Sequence, residues 1–402
     1  MSRSESKKNW SRGANNINPA DRLPENTVRS AVNVDPTPGG TLVLRTGYEQ
    51  VYAGTEVRGV LALNDKLLIA DGTDLVEFDT QTSSSRVIRQ IAGAGTFVGA
   101  EHAGVLYFCT LNECLEYDGL RVRQWGVPDV GNQPVTTPSA GGALLVGYYN
   151  VAVTFSDADG REGGTDRPLV VYVPAAGKLS IDVPQPPAGG VVNVYVGSVQ
   201  GGTLYWQGSY DSAQTVDVTA VRDDTKRLAT VLMRAPTPGD HVVSHNGTVL
   251  IAQGRVLVGT APMRPHLVDR TQLYFQFPTS INNVMSAGAV FVSADKCYAL
   301  TNVETDAPSQ ETVLEFPAIR GTSVILPDGR GAWMTRYGQA ITNGNQLDLV
   351  NRPSYTVGDR DQGASSVVEN NGNQMIVTAA RGGEGPGGLA ASDYFFGEIL
   401  NP

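Results

Sequence analysis

Residues Arg58–Asp79, RGVLALNDKLLIADGTDLVEFD, decide the fold class. Short apolar runs are separated here by two turn-forming pairs, Asn64-Asp65 and Asp71-Gly72. Short runs bounded by Asn, Asp and Gly are typical of β-strands joined by hairpin turns, whereas an amphipathic helix shows a longer run with a 3.6-residue period. The stretch therefore predicts consecutive strands connected by tight turns.

The same pattern recurs along the chain. Glu77-Phe78-Asp79 returns as Glu116-Tyr117-Asp118, 39 positions later, which is close to the ~40–45-residue period of a four-stranded propeller blade. Further copies of the hairpin cover Thr96–Asp118, Asp240–Gly254, Val284–Leu300, Val324–Ile341 and Val367–Ala380. One blade leaves its two faces uncovered, whereas a ring of blades buries them. We therefore expect an all-β fold, a β-propeller of about six blades, in preference to a generic β-sandwich.

Roughly a hundred residues between the second and third copies lack the blade pattern. They begin with the Pro-, Thr-, Ser- and Gly-rich segment Gly126–Gly142 and end near the strand-like run Gln214–Thr219. About six or seven short strands in this length are typical of a β-sandwich. Because paired cysteines are missing, a fibronectin-III-like sandwich is favoured over an immunoglobulin domain. We expect it to be inserted into a propeller loop, where insertions are tolerated.

The resulting division has four parts: an N-terminal arm at 1–40, the first blades at 41–125, the inserted sandwich at 126–222, and the remaining blades at 223–402. The arm is rich in Asn, Pro and Asp and shows no strand pattern of its own. An apolar run at Tyr394–Leu400 predicts a last strand. We expect this last strand to pair with the first strand of the chain and so to close the ring.

Composition limits the function. The 402 residues have a formal net charge of -10, which speaks against a protein that grips nucleic acid with Lys and Arg patches. The polar segment Met1–Gly13 lacks the apolar core of a secretion signal. No apolar run approaches the ~20 residues of a membrane helix. These features predict a protein made in the cytosol without a membrane span.

The sequence predicts no catalytic residues, no metal and no cofactor, and therefore no enzyme. His241 and His245 would lie about 13 Å apart on a strand, too far to share a zinc ion. Asp157–Asp166 resembles a calcium loop, but Pro168 occupies the twelfth position, where an EF-hand has Glu. A polar hairpin tip is the favoured interpretation of this segment.

Two residue types leave alternatives open. Cys109 and Cys114 lie in one predicted hairpin, where they either form a disulfide or pack as small apolar side chains. The third cysteine is Cys297. The tryptophans are scattered, and burial in blade or sandwich packing is favoured over a sugar-binding role. They are Trp10, Trp125, Trp206 and Trp333.

Two regions carry a family resemblance. The matching N-terminal segments are Asp21–Pro24, Ala31–Asp35 and Arg45–Tyr48. Met233–Val284 adds a middle-blade match through Pro238-Gly239, Ala261-Pro262 and Phe277-Pro278. With these motifs the chain resembles the tail nozzle proteins, tail tubular protein B-like, of short-tailed bacteriophages. The resemblance covers most of the chain, and its motifs are structural.

The resemblance implies a structural virion protein of the phage tail, assembled in the host cytoplasm. Such a nozzle or tube subunit forms a homo-oligomeric ring, commonly a hexamer, around the DNA channel. Its expected partners are the tail adaptor or head-to-tail connector, other tail proteins, and viral DNA that passes without specific binding. The acidic net charge agrees with a channel wall that does not hold DNA.

Within the arm, the expected subunit contacts are Asn16, Pro19, Asp21, Arg22, Pro24 and Asn33. The alternative for the arm is that it wraps on its own chain. For the whole protein, the alternative is a carbohydrate-binding or carbohydrate-cleaving propeller with a fibronectin-like module. Aromatic residues make up only 7% of the chain and are not clustered, which disfavours it. A third alternative is a propeller scaffold for cellular protein complexes, but this function does not explain the N-terminal arm.

Overall fold

The structure is a computed structural model of the chain. It describes residues 9–30, 34–37, 39–44, 49–91, 95–269, 271–305, 307–342, 344, 347–350, 356–358, 360–370, 373–382 and 394–399. Antiparallel strands dominate these residues, and the helical content among them is one short 3₁₀ turn, Ala20–Arg22. The all-β prediction is therefore confirmed. The chain forms two compact units, Gly54–Gln276 and Met1–Ala53 with Phe277–Pro402.

The N-terminal strands form a small ribbon of their own. They are β1 (Val34–Pro36) and β2 (Leu42–Leu44), which pair antiparallel.

The unit Gly54–Gln276 begins with two four-stranded meanders. The first contains β3 (Val57–Leu63), β4 (Lys66–Asp71), β5 (Asp74–Asp79) and β6 (Ser84–Gln90). The second contains β7 (Val98–His102), β8 (Val105–Cys109), β9 (Cys114–Tyr117) and β10 (Val122–Gln124). Consecutive strands pair antiparallel in both sheets. The first two predicted hairpin copies are confirmed.

Seven strands follow in two sheets. They are β11 (Thr136–Leu144), β12 (Gly147–Ser156), β13 (Leu169–Val173), β14 (Gly177–Val183), β15 (Val191–Gly197), β16 (Leu204–Tyr210) and β17 (Gln214–Val218). One sheet has the order β11-β14-β17 and the other β13-β12-β15-β16. Val153 and Val194 of one sheet share a buried core with Leu179 and Ile181 of the other. This strand order differs from the ABED and CFG sheets of an immunoglobulin constant domain.

The chain leaves and re-enters the blade region at one place. A Cβ on Gly126, just after β10, would lie 2.6 Å from Cδ of Pro236 and 2.8 Å from Cβ of Ala235. The outgoing and returning segments therefore touch, and only a residue without a side chain fits between them. Adjacent ends are what allow a segment such as β11–β17 to interrupt a fold without opening it.

A third sheet completes this unit. Its strands are β18 (Met233–Arg234), β19 (His241–His245), β20 (Thr248–Gln253), β21 (Val256–Ala261), β22 (Arg264–Asp269) and β23 (Tyr274–Gln276). Strands β19, β20, β21 and β23 pair in succession, while β22 and β18 pair beside the end of β21. The predicted hairpin at Asp240–Gly254 is confirmed as β19–β20.

The three sheets stack face to face in chain order. Alternate residues of β8 point to opposite faces, as the two-residue period of a strand requires. Leu106 and Phe108 pack with Leu68 of the first sheet. Tyr107 and Cys109 pack with Ile251 of the third. The second sheet is therefore buried on both faces, which explains why the hairpin pattern is repeated.

The other unit contains the remaining sheets. The first contains β24 (Asn283–Ala287), β25 (Ala289–Ser293), β26 (Cys297–Thr301) and β27 (Ser309–Leu314). The second contains β28 (Val324–Ile325), β29 (Gly331–Thr335), β30 (Gly338–Thr342) and β31 (Leu347–Val350). The third contains β32 (Gln362–Asn370), β33 (Asn373–Arg381) and β34 (Tyr394–Ile399). These sheets also stack in order, through Phe291 against Trp333 and through Ile341 against Ile376. The last three hairpin copies are confirmed.

The predicted ring closure is not what the described strands form. The last strand exists, but β34 pairs with β33 in a three-stranded sheet, and β1 pairs with β2. Strand β1 has three residues and ends in Pro36, which lacks a backbone N–H for a further ladder. Among the described residues, no N-terminal strand joins the last sheet.

Candidate interaction surfaces

The N-terminal arm is an ordered loop. Ala14 and Val28 form a parallel bridge. The amide of Asn15 donates to the carbonyl of Val28 at 2.8 Å, and the amide of Val28 donates to the carbonyl of Gly13 at 2.9 Å. The segment between them is therefore held as a closed excursion rather than an extended strand.

Asn16 ties this loop to its own chain. Its Nδ2 donates to the carbonyl of Thr356 at 2.8 Å, and its Oδ1 accepts from the amide of Thr356 at 2.9 Å. Both residues belong to the same compact unit. A side-chain amide that satisfies both backbone groups of one residue acts like a short strand pair. At Asn16 the structure favours the arm that wraps on its own chain.

The tip of the arm is exposed. We define the arm tip as Ile17–Arg22, which includes the predicted contact residues Pro19, Asp21 and Arg22, all exposed. Ile17 adds an apolar side chain that is 47% exposed. Pro24 is half-buried, and its carbonyl accepts from Oγ1 of Thr27 at 2.7 Å. Asn33 lies outside the described residues.

A second surface was missed by sequence reasoning. In the β11–β12 turn, on the first part of β12 and on the edge strand β13, five large apolar side chains face solvent; we call them the tyrosine patch. They are Leu145 (64% exposed), Val146 (52%), Tyr148 (55%), Val170 (60%) and Tyr172 (49%). Tyr148 and Tyr172 are direct cross-strand partners, with ring centroids 4.9 Å apart.

The tyrosine patch carries no charge. Residues 145–150 and 169–173 contain no Asp, Glu, Lys or Arg. Farther along β12 the same outer face is covered, since Ala152 and Thr154 are fully buried. An available signal was LVVYV at Leu169–Val173. A sandwich strand with one solvated face should alternate apolar and polar residues, and this strand does not.

The Glu-aromatic-Asp repeat has one geometry in both copies. Oδ1 of Asp79 accepts from the amides of Gln81 and Thr82, and Oδ1 of Asp118 accepts from those of Leu120 and Arg121. Short Asp side chains are favoured at such turns because they bond to nearby amides. The repeat spacing found in the sequence is thus a repeat of turn chemistry.

The two glutamates of the repeat are also equivalent. Each is buried and accepts from an arginine directly opposite on the next strand, Arg86 for Glu77 and Arg123 for Glu116. Their further partners differ. Glu77 receives the hydroxyl of Tyr117 and the Lys66 ammonium, whose Nζ lies 3.4 Å away.

Glu116 is instead reached by Arg161, from the hairpin that follows β12. Nη1 of Arg161 donates to Oε1 of Glu116 at 2.8 Å and to the Trp125 carbonyl at 3.2 Å. Asp157 receives Nε of the same guanidinium at 2.8 Å. Burial raises the pKa of the Glu116 carboxyl, although the charges of Arg161 and Arg123 act in the opposite direction. This cluster joins the β11–β17 segment to the second sheet.

The predicted metal candidates hold other partners. Asp159 binds Arg121 at 2.9 Å and Arg123 at 2.6 Å, and Glu162 binds Lys226 at 2.6 Å. The Asp157–Asp166 tip is therefore a polar turn whose acids pair with basic side chains. His241 and His245 lie at the two ends of β19, as expected for a strand. In the described part of the chain, no three His, Cys, Asp or Glu side chains are grouped as a metal site.

The tryptophans are used in packing where they are buried. Trp125 and Trp333 are 0% and 3% exposed and belong to cores between stacked sheets. Trp206 is half-buried, with the Arg222 guanidinium 5.6 Å from its ring centroid. Trp10 is half-buried in the arm.

The environment of Glu77 predicts an acid-sensitive contribution to stability. Burial acts to raise the pKa of this carboxyl. Hydrogen bonds from Arg86 and Tyr117 and the charges of Lys66 and Arg86 act in the opposite direction and outweigh burial, so the pKa is lowered from 4.5. A lowered pKa in the folded state stabilises the fold above the unfolded-state pKa, and this stability is lost as pH falls through the folded-state value.

We therefore expect the stability difference between wild type and Glu77→Gln to shrink as pH falls below about 4.5. Denaturant unfolding from pH 3 to 7 measures it. Asp74→Asn, at the start of the same strand and only half-buried, is the control. A difference between wild type and Glu77→Gln that stays constant across this range would contradict the prediction.

Comparisons with known proteins give weak likenesses. No family model matches the chain, and no curated protein matches it. Among solved structures, BBS1N in complex with ARL6DN is 11% identical, covers 83% of this chain and 92% of that chain, and has a TM-score of 0.32. The N-terminal domain of Nup159 is 9% identical, covers 81% of this chain and 73% of that chain, and has a TM-score of 0.30.

Kluyveromyces lactis Hsv2 is 8% identical, covers 86% of this chain and 98% of that chain, and has a TM-score of 0.31. TM-scores of this size do not assign a fold or a function to this chain. Among the described residues, no helix has the length and apolar character needed to cross a membrane.

Proposed function

We propose that this protein is a structural subunit of a phage tail, a nozzle or tube protein that forms a homo-oligomeric ring around the DNA channel. The tyrosine patch is the observation that carries the proposal. Monomeric proteins rarely expose several large apolar side chains side by side, and such patches mark protein–protein contacts. The sequence resemblance to tail nozzle proteins supports the assignment to a phage tail, where the neighbouring protein would be an adaptor or connector.

A second copy of the chain is the proposed occupant of the tyrosine patch. Each chain carries a net charge of -10, so two identical copies have a net electrostatic repulsion. An uncharged surface avoids both this repulsion and the cost of removing water from charged groups. The arm tip, with Ile17 and Pro19 exposed, is proposed as a further contact in the ring.

The proposed architecture is a β-propeller of about six blades with a fibronectin-III-like insert. The four-stranded meanders that stack in chain order within each compact unit support it, because propeller blades pack in this way. The adjacent connections at Gly126 and Pro236 support the insertion. DNA would pass without specific binding, in keeping with the acidic net charge.

Mass measurement of the purified chain, followed by electron microscopy, tests the proposal. We expect particles of about six subunits with an open centre. A chain that stays monomeric at all concentrations, alone and mixed with the tail adaptor, would overturn the ring.

A double variant tests the proposed contact. Val170→Lys with Tyr172→Lys places two charges in the tyrosine patch, where close packing against a like surface would bury them. We expect subunit affinity to fall at least about 100-fold, since an unpaired buried charge costs several kcal/mol. Analytical ultracentrifugation measures it.

Leu120→Lys is the matched control, because Leu120 is an isolated apolar side chain that is 86% exposed. It should leave assembly unchanged. Both variants should keep the wild-type circular dichroism spectrum, which shows that the subunit itself still folds. Full assembly of the double variant would show that the tyrosine patch is not part of the subunit interface.

One observation favours the alternative function. Tyr148 and Tyr172 are exposed aromatic side chains on one face of a sheet, and sugar rings stack on such side chains. Calorimetric titration with bacterial surface glycans tests this alternative. Binding that is lost in Tyr172→Ala, in a chain that forms no ring, would favour the carbohydrate-binding function.

A further inference from the structure

Cys109 and Cys114 face each other across the β8–β9 hairpin. They are direct cross-strand partners, and their Sγ atoms are 3.2 Å apart. Cys109 is fully buried and Cys114 is 6% exposed. Both are free thiols in this structure.

The backbone places the pair in the register that suits a disulfide. The Thr110 amide donates to the carbonyl of Glu113 at 2.9 Å, while the carbonyl of Cys114 accepts from the amide of Trp125, on the far side of β9, at 3.0 Å. The cysteines therefore form a non-hydrogen-bonded pair, in which Cα atoms lie about 4.5 Å apart and side chains are closest. Disulfides span Cα separations of about 4.4–6.8 Å.

We propose that Cys109 and Cys114 are a dithiol that forms a disulfide across the β8–β9 hairpin by exchange with a small-molecule disulfide. Bond formation brings the two sulfur atoms from 3.2 Å to about 2.05 Å. This change is small, and the strands already hold both Cβ atoms on one face of the sheet.

With oxidised glutathione the step balances. The thiolate of Cys114, the more exposed of the two, attacks one glutathione sulfur and displaces a glutathione thiolate. The thiolate of Cys109 then attacks the sulfur of Cys114 and displaces the second glutathione. Two cysteine thiols are oxidised, one glutathione disulfide is reduced to two glutathione thiols, and the two protons pass to the departing thiolates.

Burial makes the exchange slow in the closed hairpin. The hydrogen bond with Cys109 and burial both raise the pKa of Cys114 above its ordinary value, and a protonated thiol does not attack. Exchange therefore requires opening of the short loop between Cys109 and Cys114. Once formed, the disulfide joins two strands whose side chains pack against the third sheet.

The test uses the full chain in glutathione buffers of graded redox potential. One set of samples is incubated folded, and a second is refolded from denaturant in the same buffers, which removes the barrier of burial. After acid quenching, denaturation and alkylation, cleavage after glutamate cuts the chain at Glu113, between the two cysteines. Fragments that remain joined until a reductant is added identify the bond.

We expect joined fragments, two hydrogen atoms lighter and without alkyl groups, in the refolded samples, and more slowly in the folded ones. Cys297 is the internal control, because it is buried in the other compact unit. It should remain fully alkylated. Cys114→Ala should abolish the bond.

The oxidised chain should also unfold at a temperature several degrees higher than the reduced chain. Two alkylated cysteines at every potential after refolding would overturn the proposal. So would a glutathione adduct on Cys114 that does not convert to the disulfide.

Discussion

Trp125→Ala is expected to lower the free energy of unfolding by about 3–5 kcal/mol, as large-to-small changes of buried tryptophans do. The Trp125 side chain is fully buried between the second and third sheets. Its ring packs against Tyr107 with centroids 5.1 Å apart, and its Nε1 donates to the carbonyl of Pro265 at 2.6 Å. The substitution removes packing on two sheets and leaves that carbonyl without its donor.

Denaturant unfolding measures the loss. Trp125→Phe separates the two contributions, because it keeps most of the apolar contact and removes the N–H donor, so we expect about 1–3 kcal/mol. Trp206→Ala is the control on a half-buried ring and should cost less than Trp125→Ala. A loss below about 1 kcal/mol for Trp125→Ala would mean that the second and third sheets do not share this core.

Glu116→Ala is expected to destabilise the protein by about 3–5 kcal/mol, the usual cost of removing one partner from a buried ionic cluster. The glutamate is 2% exposed and receives hydrogen bonds from Arg123 and Arg161. Burial raises the pKa of this carboxyl, so the ion pairs add little net stability. Removal of Glu116 is costly because the partly buried guanidinium groups of Arg123 and Arg161 then lose the carboxylate that they share and keep one each, Asp159 and Asp157.

Glu113→Ala is the matched control in the same hairpin. Its carboxylate pairs with Arg89 at 3.2 Å, and both side chains are about 30% exposed, so the expected cost is about 1 kcal/mol or less. A double-mutant cycle of Glu116→Ala and Arg161→Ala measures the coupling between them. Additive losses would show that Arg161 does not stabilise the second sheet through Glu116.

Much of the fold was predictable from the sequence because its signals are local. The hairpin copies follow from short apolar runs between Asn, Asp and Gly, and a two-residue strand period is visible in any window of a few residues. The equivalence of Asp79 and Asp118 was also predictable, since each side chain bonds to amides two and three residues ahead. These interactions lie within the span over which a sequence pattern can be recognised.

The interaction surfaces were less predictable. The sequence predicts the arm residues Pro19, Asp21 and Arg22 as contacts, and their side chains are exposed. Asn16 could not be assigned, because its partner Thr356 is 340 residues away. The tyrosine patch was missed, since exposure of Tyr148 and Tyr172 depends on which part of β12 other segments cover.

The sequence alone therefore determined the all-β class, the positions of the hairpins, and the interrupted segment between the second and third copies. Only the tertiary structure decided the pairing of the last strand, the partners of Glu116 and the distance between the thiols of Cys109 and Cys114. The physical reason is the range of the interactions. Turn chemistry and strand period act between neighbours in the chain, whereas burial, charge pairing and exposure depend on which distant segments meet.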